Sequence, residues 1–314
     1  MQFSAVKKIF VLTLVVTIYL FLSFFRFGGL LAYIIPSICW SLLALITLYI
    51  CSPEKIRLWF SKPLTIMATL IAVLQIVVLV FTAFFTTFGR SPYAHTPTAI
   101  AISVAYFSSA LLGLELSRAY LIKSVPKRKV FIGIGLTALF YTFITFSPTR
   151  FFTLDTPAEI AKFLGSELLP TLAQSLLATY LALLGGPTAS MAYLGTLEAF
   201  EWLSPILPNP PWAIKALITT LIPAIGFVTV NETVSPFTLM RYGIISRTEA
   251  AHKPHRTEKS SSLLWITIAI IGIILVWGST GLLGFQPSII ASGSMQPTLN
   301  VGDIAITVKT PAKA

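Results

Sequence analysis

The chain has 314 residues, of which 55% are hydrophobic and only 11% are charged. An ordinary soluble domain carries about a quarter charged residues, so this composition excludes a soluble globular protein. The net charge of +11 comes from basic residues that gather in short segments between apolar runs. That pattern sets membrane topology, so we expect the lipid bilayer as a partner and no nucleic acid.

Nine apolar runs follow one another along the chain, most of them close to the ~20 residues that a bilayer-spanning helix needs. Helices are expected because each span must satisfy its own backbone hydrogen bonds in lipid. The predicted spans are residues 9–25, 29–51, 64–86, 100–122, 130–147, 167–186, 188–206, 212–232 and 263–284. The predicted fold is therefore an all-α polytopic membrane protein, with a multi-spanning domain over 1–236 and a final transmembrane helix over 263–284.

Basic residues predict the orientation of these spans. They precede the first span at Lys7 and Lys8, and they recur after the second, fourth and eighth spans, in segments 55–62, 123–129 and 241–259. Cytoplasmic loops carry the excess of Lys and Arg. We therefore expect a multi-pass protein of the cell membrane with a cytoplasmic N-terminus and an extracytoplasmic C-terminus.

The run 188–206 is the weakest predicted span, because Glu198 and Glu201 lie in it and carboxylates are costly in lipid. Removing this crossing would reverse the side of segment 241–259, so we retain it. The two glutamates are three residues apart and share a helix face. Two interpretations stay open: functional intramembrane carboxylates, or a short span with both residues near the outer interface.

Other polar positions in the spans favour structural roles. Glu115 and Arg118 are also three apart and predict an ion pair near the inner end of the fourth span. Cys39 and Cys51 lie about 18 Å apart along one helix, so no disulfide is expected between them. No metal-ligand spacing or cofactor motif is present, and we predict neither a metal nor a cofactor.

Two loop segments carry boundary signals. Thr156-Pro157-Ala158-Glu159 has the N-cap, proline and glutamate of a helix start, which predicts an interfacial helix ahead of the sixth span. Pro236 is predicted to end the eighth helix. Residues 237–262 are predicted to form a basic cytoplasmic linker, and its stretch 247–262, rich in charge and in Ser and Thr, is predicted to be of low order.

After the last span, residues 285–314 lose the helical period. Proline and glycine residues separate short segments that are rich in β-branched residues, among them Ile304-Ala305-Ile306-Thr307-Val308. This pattern predicts the beginning of a β-rich extracytoplasmic domain.

This stretch contains Ser292-Gly293-Ser294-Met295-Gln296-Pro297-Thr298-Leu299, followed by Val301-Gly302-Asp303. The segment resembles the signature of type I signal peptidases, and the preceding Gly-x-x-Pro-Ser-Ile-Ile from Gly284 is similar to the archaeal and endoplasmic-reticulum branch. The resemblance implies that Ser294 is the nucleophile of a serine protease and that the Ser292 hydroxyl contributes to its oxyanion hole. The implied substrates are exported preproteins bearing signal peptides, cleaved at the outer face, with a membrane complex as a further possible partner.

A serine nucleophile needs a base, which the family supplies as a downstream Lys or His. No His follows Ser294, and Lys309 is nearer to it than the family's spacing. We therefore expect residues 285–314 to be an incomplete catalytic domain, inactive by itself, within a longer enzyme. Family members usually carry one or two spans before the nucleophile. The alternative hypothesis is a membrane scaffold or transporter-like protein fused to an inactive peptidase-like tail.

Overall fold

The computed structural model describes residues 2–25, 27–51, 61–152, 154–246, 249, 285–289, 298 and 304–308. Most of these residues are helical, and the predicted span 263–284 lies outside them. The helices are α1 Gln2–Phe24, α2 Leu31–Ile50, α3 Lys62–Phe85, α4 Pro97–Lys123, α5 Val130–Thr145, α6 Pro148–Phe151, α7 Pro157–Phe163, α8 Leu169–Gly185, α9 Pro187–Leu203, α10 Trp212–Thr233 and α11 Pro236–Tyr242. The strands are β1 Phe88–Arg90, β2 Ile206–Pro208, β3 Phe285–Ile289 and β4 Ile304–Val308.

Seven helical stretches among the described residues are long and apolar enough to cross a membrane, which confirms a multi-pass membrane protein. They are Val6–Phe24, Leu31–Ile50, Lys62–Phe85, Pro97–Lys123, Lys127–Thr145, Glu159–Gly185 and Trp212–Thr233. Helix α5 shows the arrangement: Phe131 and Leu136 are exposed on its outer surface, whereas Ile134 and Ala138 are buried against its neighbours. Large apolar side chains on the outside are stable because lipid replaces water there.

Helix α9 corresponds to the weakest predicted span. It has 17 residues, fewer than any of the seven stretches above. It nevertheless extends from one end of the bundle to the other. Its first turn follows Gly185, where an added Cβ would lie 3.0 Å from the Leu64 Cβ in the first turn of α3. Its last turn leads into β2, which pairs antiparallel with the strand that follows α3, Gly89 opposite Leu207. Seventeen residues of helix rise about 25 Å, so α9 lies beside α3 along most of its length and runs in the same direction.

Polar contacts show which helix ends lie together. The Lys8 Nζ donates a hydrogen bond to the Ser124 carbonyl oxygen at 2.6 Å, and Gly243, with φ +79°, lies against the Lys127 backbone. At the opposite end, the Tyr19 hydroxyl donates to the Phe146 carbonyl oxygen at 2.7 Å. We call the first the basic end and the second, which holds the β1–β2 pair, the strand end. The helix ends that carry Lys8 and Lys127 therefore lie together, and the cytoplasmic orientation of the basic end remains a prediction from charge.

The helix start at Thr156 is confirmed. The Glu159 N–H donates to the Thr156 Oγ1 at 3.3 Å, and the Thr156 N–H donates to the Glu159 Oε2 at 3.1 Å. The helix leads into the sixth span as predicted, and it does so without a break, because α7 continues into α8 through a π-helical turn over Leu164–Leu168. Pro170 explains the turn: a proline has no N–H and its ring clashes with the carbonyl four residues back, and the wider turn relieves both effects.

The end of α10 differs slightly from the prediction. The helix ends at Thr233, and Pro236 begins the next helix, α11, instead of ending the previous one. Proline is favoured in the first turn of a helix because its missing N–H has no intrahelical partner there. Leu239 of α11 is fully buried in the main core, so this short helix packs against the bundle.

The core of the bundle centres on α8, most of which is buried. Close approach occurs where small residues meet other helices: an added Cβ at Gly113 of α4 would lie 2.6 Å from the Trp40 carbonyl oxygen of α2. Cys39 and Cys51 form no disulfide with each other.

Candidate functional site

Two regions of the chain carry candidate chemistry. The first is the segment with Ser292 and Ser294, which both lie outside the described residues. The structure describes the strands on either side of it, β3 and β4, which pair antiparallel from Phe285 opposite Val308 to Ile289 opposite Ile304. The predicted strand over residues 304–308 is confirmed. Strand β3 was not predicted from the sequence, because Pro287 disfavours a strand.

The β3–β4 pairing sets the two ends of the motif segment. Ile289 and Ile304 are ladder partners, and opposite Cα atoms in an antiparallel ladder are about 4.5–5.5 Å apart. Residues 290–303 therefore connect two neighbouring strand ends. Thr298, within this connection, lies in an exposed turn.

The second region is a cavity of about 400 Å³ inside the helix bundle. Most of its walls are apolar, and polar side chains reach it from six helices. These polar residues are Gln75 on α3, Glu115 and Arg118 on α4, Tyr141 and Thr145 on α5, Thr171, Gln174 and Ser175 on α8, Glu198 and Glu201 on α9, and Lys215 and Thr219 on α10.

Glu115 and Arg118 form the predicted ion pair, with 3.1 Å between the Arg118 Nε and the Glu115 Oε1. Both are almost completely buried, with 1% and 5% of their surface exposed. The Arg118 Nη1 also donates to the Ser175 carbonyl and hydroxyl oxygens at 3.1 and 3.0 Å, and to the Thr179 Oγ1 at 3.3 Å. Its guanidinium lies over the Tyr141 ring, 4.4 Å from the centroid. The guanidinium charge is therefore satisfied within the protein.

The second carboxylate oxygen of Glu115 is different. Oε2 is buried and has no hydrogen bond of standard geometry among the described residues, although the Ser190 hydroxyl lies near enough to interact with the Glu115 carboxyl. A buried polar atom without a partner costs free energy and is uncommon in native proteins. Glu115 lines the cavity, but Oε2 itself is covered by the surrounding protein.

Glu198 and Glu201 line the same cavity on neighbouring turns of α9. Glu198 lies within electrostatic range of both Glu201 and Glu115. Glu201 is exposed at the strand end, Glu198 is half-buried and Glu115 is buried, so the three form a row from the mouth of the cavity to its interior. We call Glu201, Glu198 and Glu115 the carboxylate row. Neither Glu198 nor Glu201 forms an ion pair within the described part of the chain.

The sequence predicted a shared face for Glu198 and Glu201 but did not predict that Glu115 joins them. The three residues line one cavity because α4 packs against α9. The sequence does place polar residues in several spans. This could have predicted a shared polar site, since intramembrane ionisable residues tend to face the interior of a bundle.

An aromatic pair lies near the mouth of the cavity. The Tyr93 ring stacks on the Trp202 ring with 4.0 Å between centroids. Burial raises the pKa of the Tyr93 phenol, and the nearby Glu201 carboxylate raises it further. The phenol therefore keeps its proton at neutral pH and remains a hydrogen-bond donor.

Comparison with known protein families, curated proteins and solved structures finds no match to this chain.

Proposed function

We propose that this protein is a membrane-bound serine endopeptidase that removes signal peptides from exported preproteins at the outer face of the cell membrane. The observation that carries the proposal is the Ser292–Asp303 motif, which resembles the type I signal peptidase signature. The pairing of β3 with β4 supports it, because β3 precedes the motif in the chain, β4 follows it and the two strands form a β-ladder.

The chemistry assigned to this segment is acyl transfer. The Ser294 hydroxyl oxygen attacks the carbonyl carbon of the scissile peptide bond while a general base takes its proton. The Ser294 N–H and the Ser292 hydroxyl donate hydrogen bonds to the resulting oxyanion. The C–N bond then breaks, and the base protonates the departing amine of the mature protein. Water hydrolyses the ester, which frees Ser294 and releases the signal peptide as a carboxylic acid.

The membrane-spanning region suits such substrates. A signal peptide carries an apolar segment that lies in the bilayer, and the predicted topology places Ser294 just beyond the final span, 263–284. A substrate that diffuses laterally beside this span would present its cleavage site at the membrane surface. The proposed bond cleavage occurs after small residues, as the resemblance implies.

The test uses the protein as its gene encodes it, in membranes, with a secretory precursor as substrate. Ser294→Ala is expected to abolish processing, and Ser292→Ala is expected to slow it by about 10²–10³-fold, the loss typical of one oxyanion donor. Ser288→Ala is the matched control: the same substitution in the adjacent strand β3, opposite Ala305, is expected to leave processing unchanged.

The readout is the fraction of precursor converted to mature protein over time, measured by gel and by mass spectrometry of the new N-terminus. Processing by Ser294→Ala at the wild-type rate would show that this serine is not the nucleophile. Equal losses in all three variants would indicate damage to the hairpin and would contradict the assigned roles.

A second candidate function is a membrane scaffold or transporter-like protein with an inactive peptidase-like tail. The polar cavity in the bundle favours it, because a peptidase site on the hairpin does not need buried carboxylates in the membrane. Processing that depends on Ser294 would exclude this alternative for the tail.

A further inference from the structure

We propose that the cavity lined by the carboxylate row binds a small organic cation through a primary ammonium group. The site is separate from the motif at Ser292–Asp303, and the proposal is independent of peptidase activity. It rests on the geometry of Glu115, Glu198 and Glu201 and on the cavity that they share.

Not every carboxylate in the cavity is paired with a positive charge of the protein. Arg118 is paired with Glu115 through Oε1, and its Nη1 donates to oxygen atoms of α8. Glu198, which lines the cavity beside them, has no ion pair among the described residues, and neither has Glu201. A ligand with several N–H donors and a positive charge complements the carboxylates of Glu198 and Glu201.

The cavity also sets the size and shape of the ligand. Its volume of about 400 Å³ lies in the range of small-molecule pockets, about 300–1,000 Å³. A proton needs no such space, and no group of three His, Cys, Asp or Glu side chains in the described part of the chain could hold a metal ion. Trp40 and Phe200 also line the cavity and suit an apolar or aromatic body attached to the ammonium group.

Entry is expected from the strand end. Glu201 is exposed there and is the first carboxylate that a cation meets, followed by Glu198 and then Glu115. Lys215 is exposed at the same end and lines the cavity. Its positive charge repels a cationic ligand, so Lys215 is not part of the proposed recognition.

The experiment measures binding of phenethylammonium by isothermal titration to the full chain in nanodiscs of zwitterionic lipid. The control ligand is 2-phenylethanol, which has the same ring and chain but no charge. The ammonium is expected to bind and the alcohol to bind at least about tenfold more weakly, because it cannot form a charge-assisted hydrogen bond.

Two variants test the assigned groups. Glu198→Gln keeps the shape of the side chain and is expected to weaken phenethylammonium binding about tenfold. Lys215→Gln, in the same cavity but with the opposite charge, is expected to leave the affinity unchanged or to raise it. Ser294→Ala is expected to bind like the wild type, which separates this proposal from the proposed function.

Three results would overturn the proposal: no binding of phenethylammonium up to about 10 mM, equal affinity for 2-phenylethanol, or unchanged affinity in Glu198→Gln. Glu115→Gln gives a further measurement if it folds, as judged by its helical circular dichroism. Because Glu198 is only half-buried and has no ion pair in the described chain, its variant keeps the test decisive if Glu115→Gln does not fold.

Discussion

Arg118 illustrates how single residues satisfy charge inside this bundle. Its guanidinium contacts a carboxylate on its own helix, oxygen atoms on α8 and the ring of Tyr141. Burying an ion pair often adds little net stability, but removing one partner leaves an uncompensated charge behind. Glu115 is the group that would be left.

Arg118→Gln is therefore expected to destabilise the protein by roughly 3–5 kcal/mol, the usual cost of breaking a buried pair. Thermal unfolding of the purified protein in detergent, followed by circular dichroism, measures the change. The matched control is Arg150→Gln, which removes an exposed partner of Glu167. Exposed pairs contribute little because water screens them, so the control is expected to unfold close to the wild-type temperature. Equal losses of stability in both variants would contradict the conclusion that the Arg118–Glu115 pair matters more because it is buried.

At the scale of elements, helices α2 and α4 cross with almost no space between their backbones. Gly113 makes this possible: an added Cβ would lie 2.6 Å from the Trp40 carbonyl oxygen, which is backbone and cannot rotate away. Small residues permit such close packing in membrane proteins, where dispersion contacts between helices supply much of the association energy. A methyl group at this position would force the two helices apart.

Gly113→Ala is accordingly expected to lower the free energy of unfolding by about 1–3 kcal/mol, the usual cost of overpacking. Gly135→Ala provides the control, because a Cβ there meets nothing within 4 Å and alanine has the higher helix propensity. The control is expected to be neutral or slightly stabilising in the same unfolding measurement. A neutral Gly113→Ala would show that α2 and α4 are not in backbone contact.

For the whole molecule, the arrangement of helix ends makes the topology testable. The β1–β2 pair joins the ends of α3 and α9 at the strand end. Helix α9 must therefore cross the bundle if the basic segments before and after it are to lie on the same side of the membrane. The strand end is predicted to be extracytoplasmic and the basic end cytoplasmic.

Single cysteines in a Cys39→Ala, Cys51→Ala background can report this topology through a membrane-impermeant maleimide added to intact cells. Asn209→Cys and Ser288→Cys are expected to be labelled from outside. Lys129→Cys, exposed at the basic end, is expected to be labelled only after permeabilisation. Labelling of positions 209 and 129 from the same side would contradict the crossing of α9. Protection of position 288 in intact cells would contradict cleavage at the outer face.

Much of the fold was predictable from the sequence because local physics determines it. A span in lipid must form its own backbone hydrogen bonds, so each long apolar run in the described chain became a helix within a few residues of its predicted bounds. The Thr156–Glu159 start and the strand Ile304–Val308 also follow from neighbouring residues. The continuous helix from α7 to α8 was missed, since Pro170 signals a break unless a π-helical turn accommodates it.

The composition and order of residues determined the membrane class, and they predicted the crossing of α9 and the resemblance of the segment around Ser294 to a known signature. Only the tertiary structure decided that Glu115 meets Glu198, that Arg118 is satisfied from α8 and that a cavity lies between them. Those contacts depend on how each helix is rotated about its axis. In a membrane both the lipid-facing and the buried sides are apolar, so the pattern that reveals helix rotation in a soluble protein is weak here.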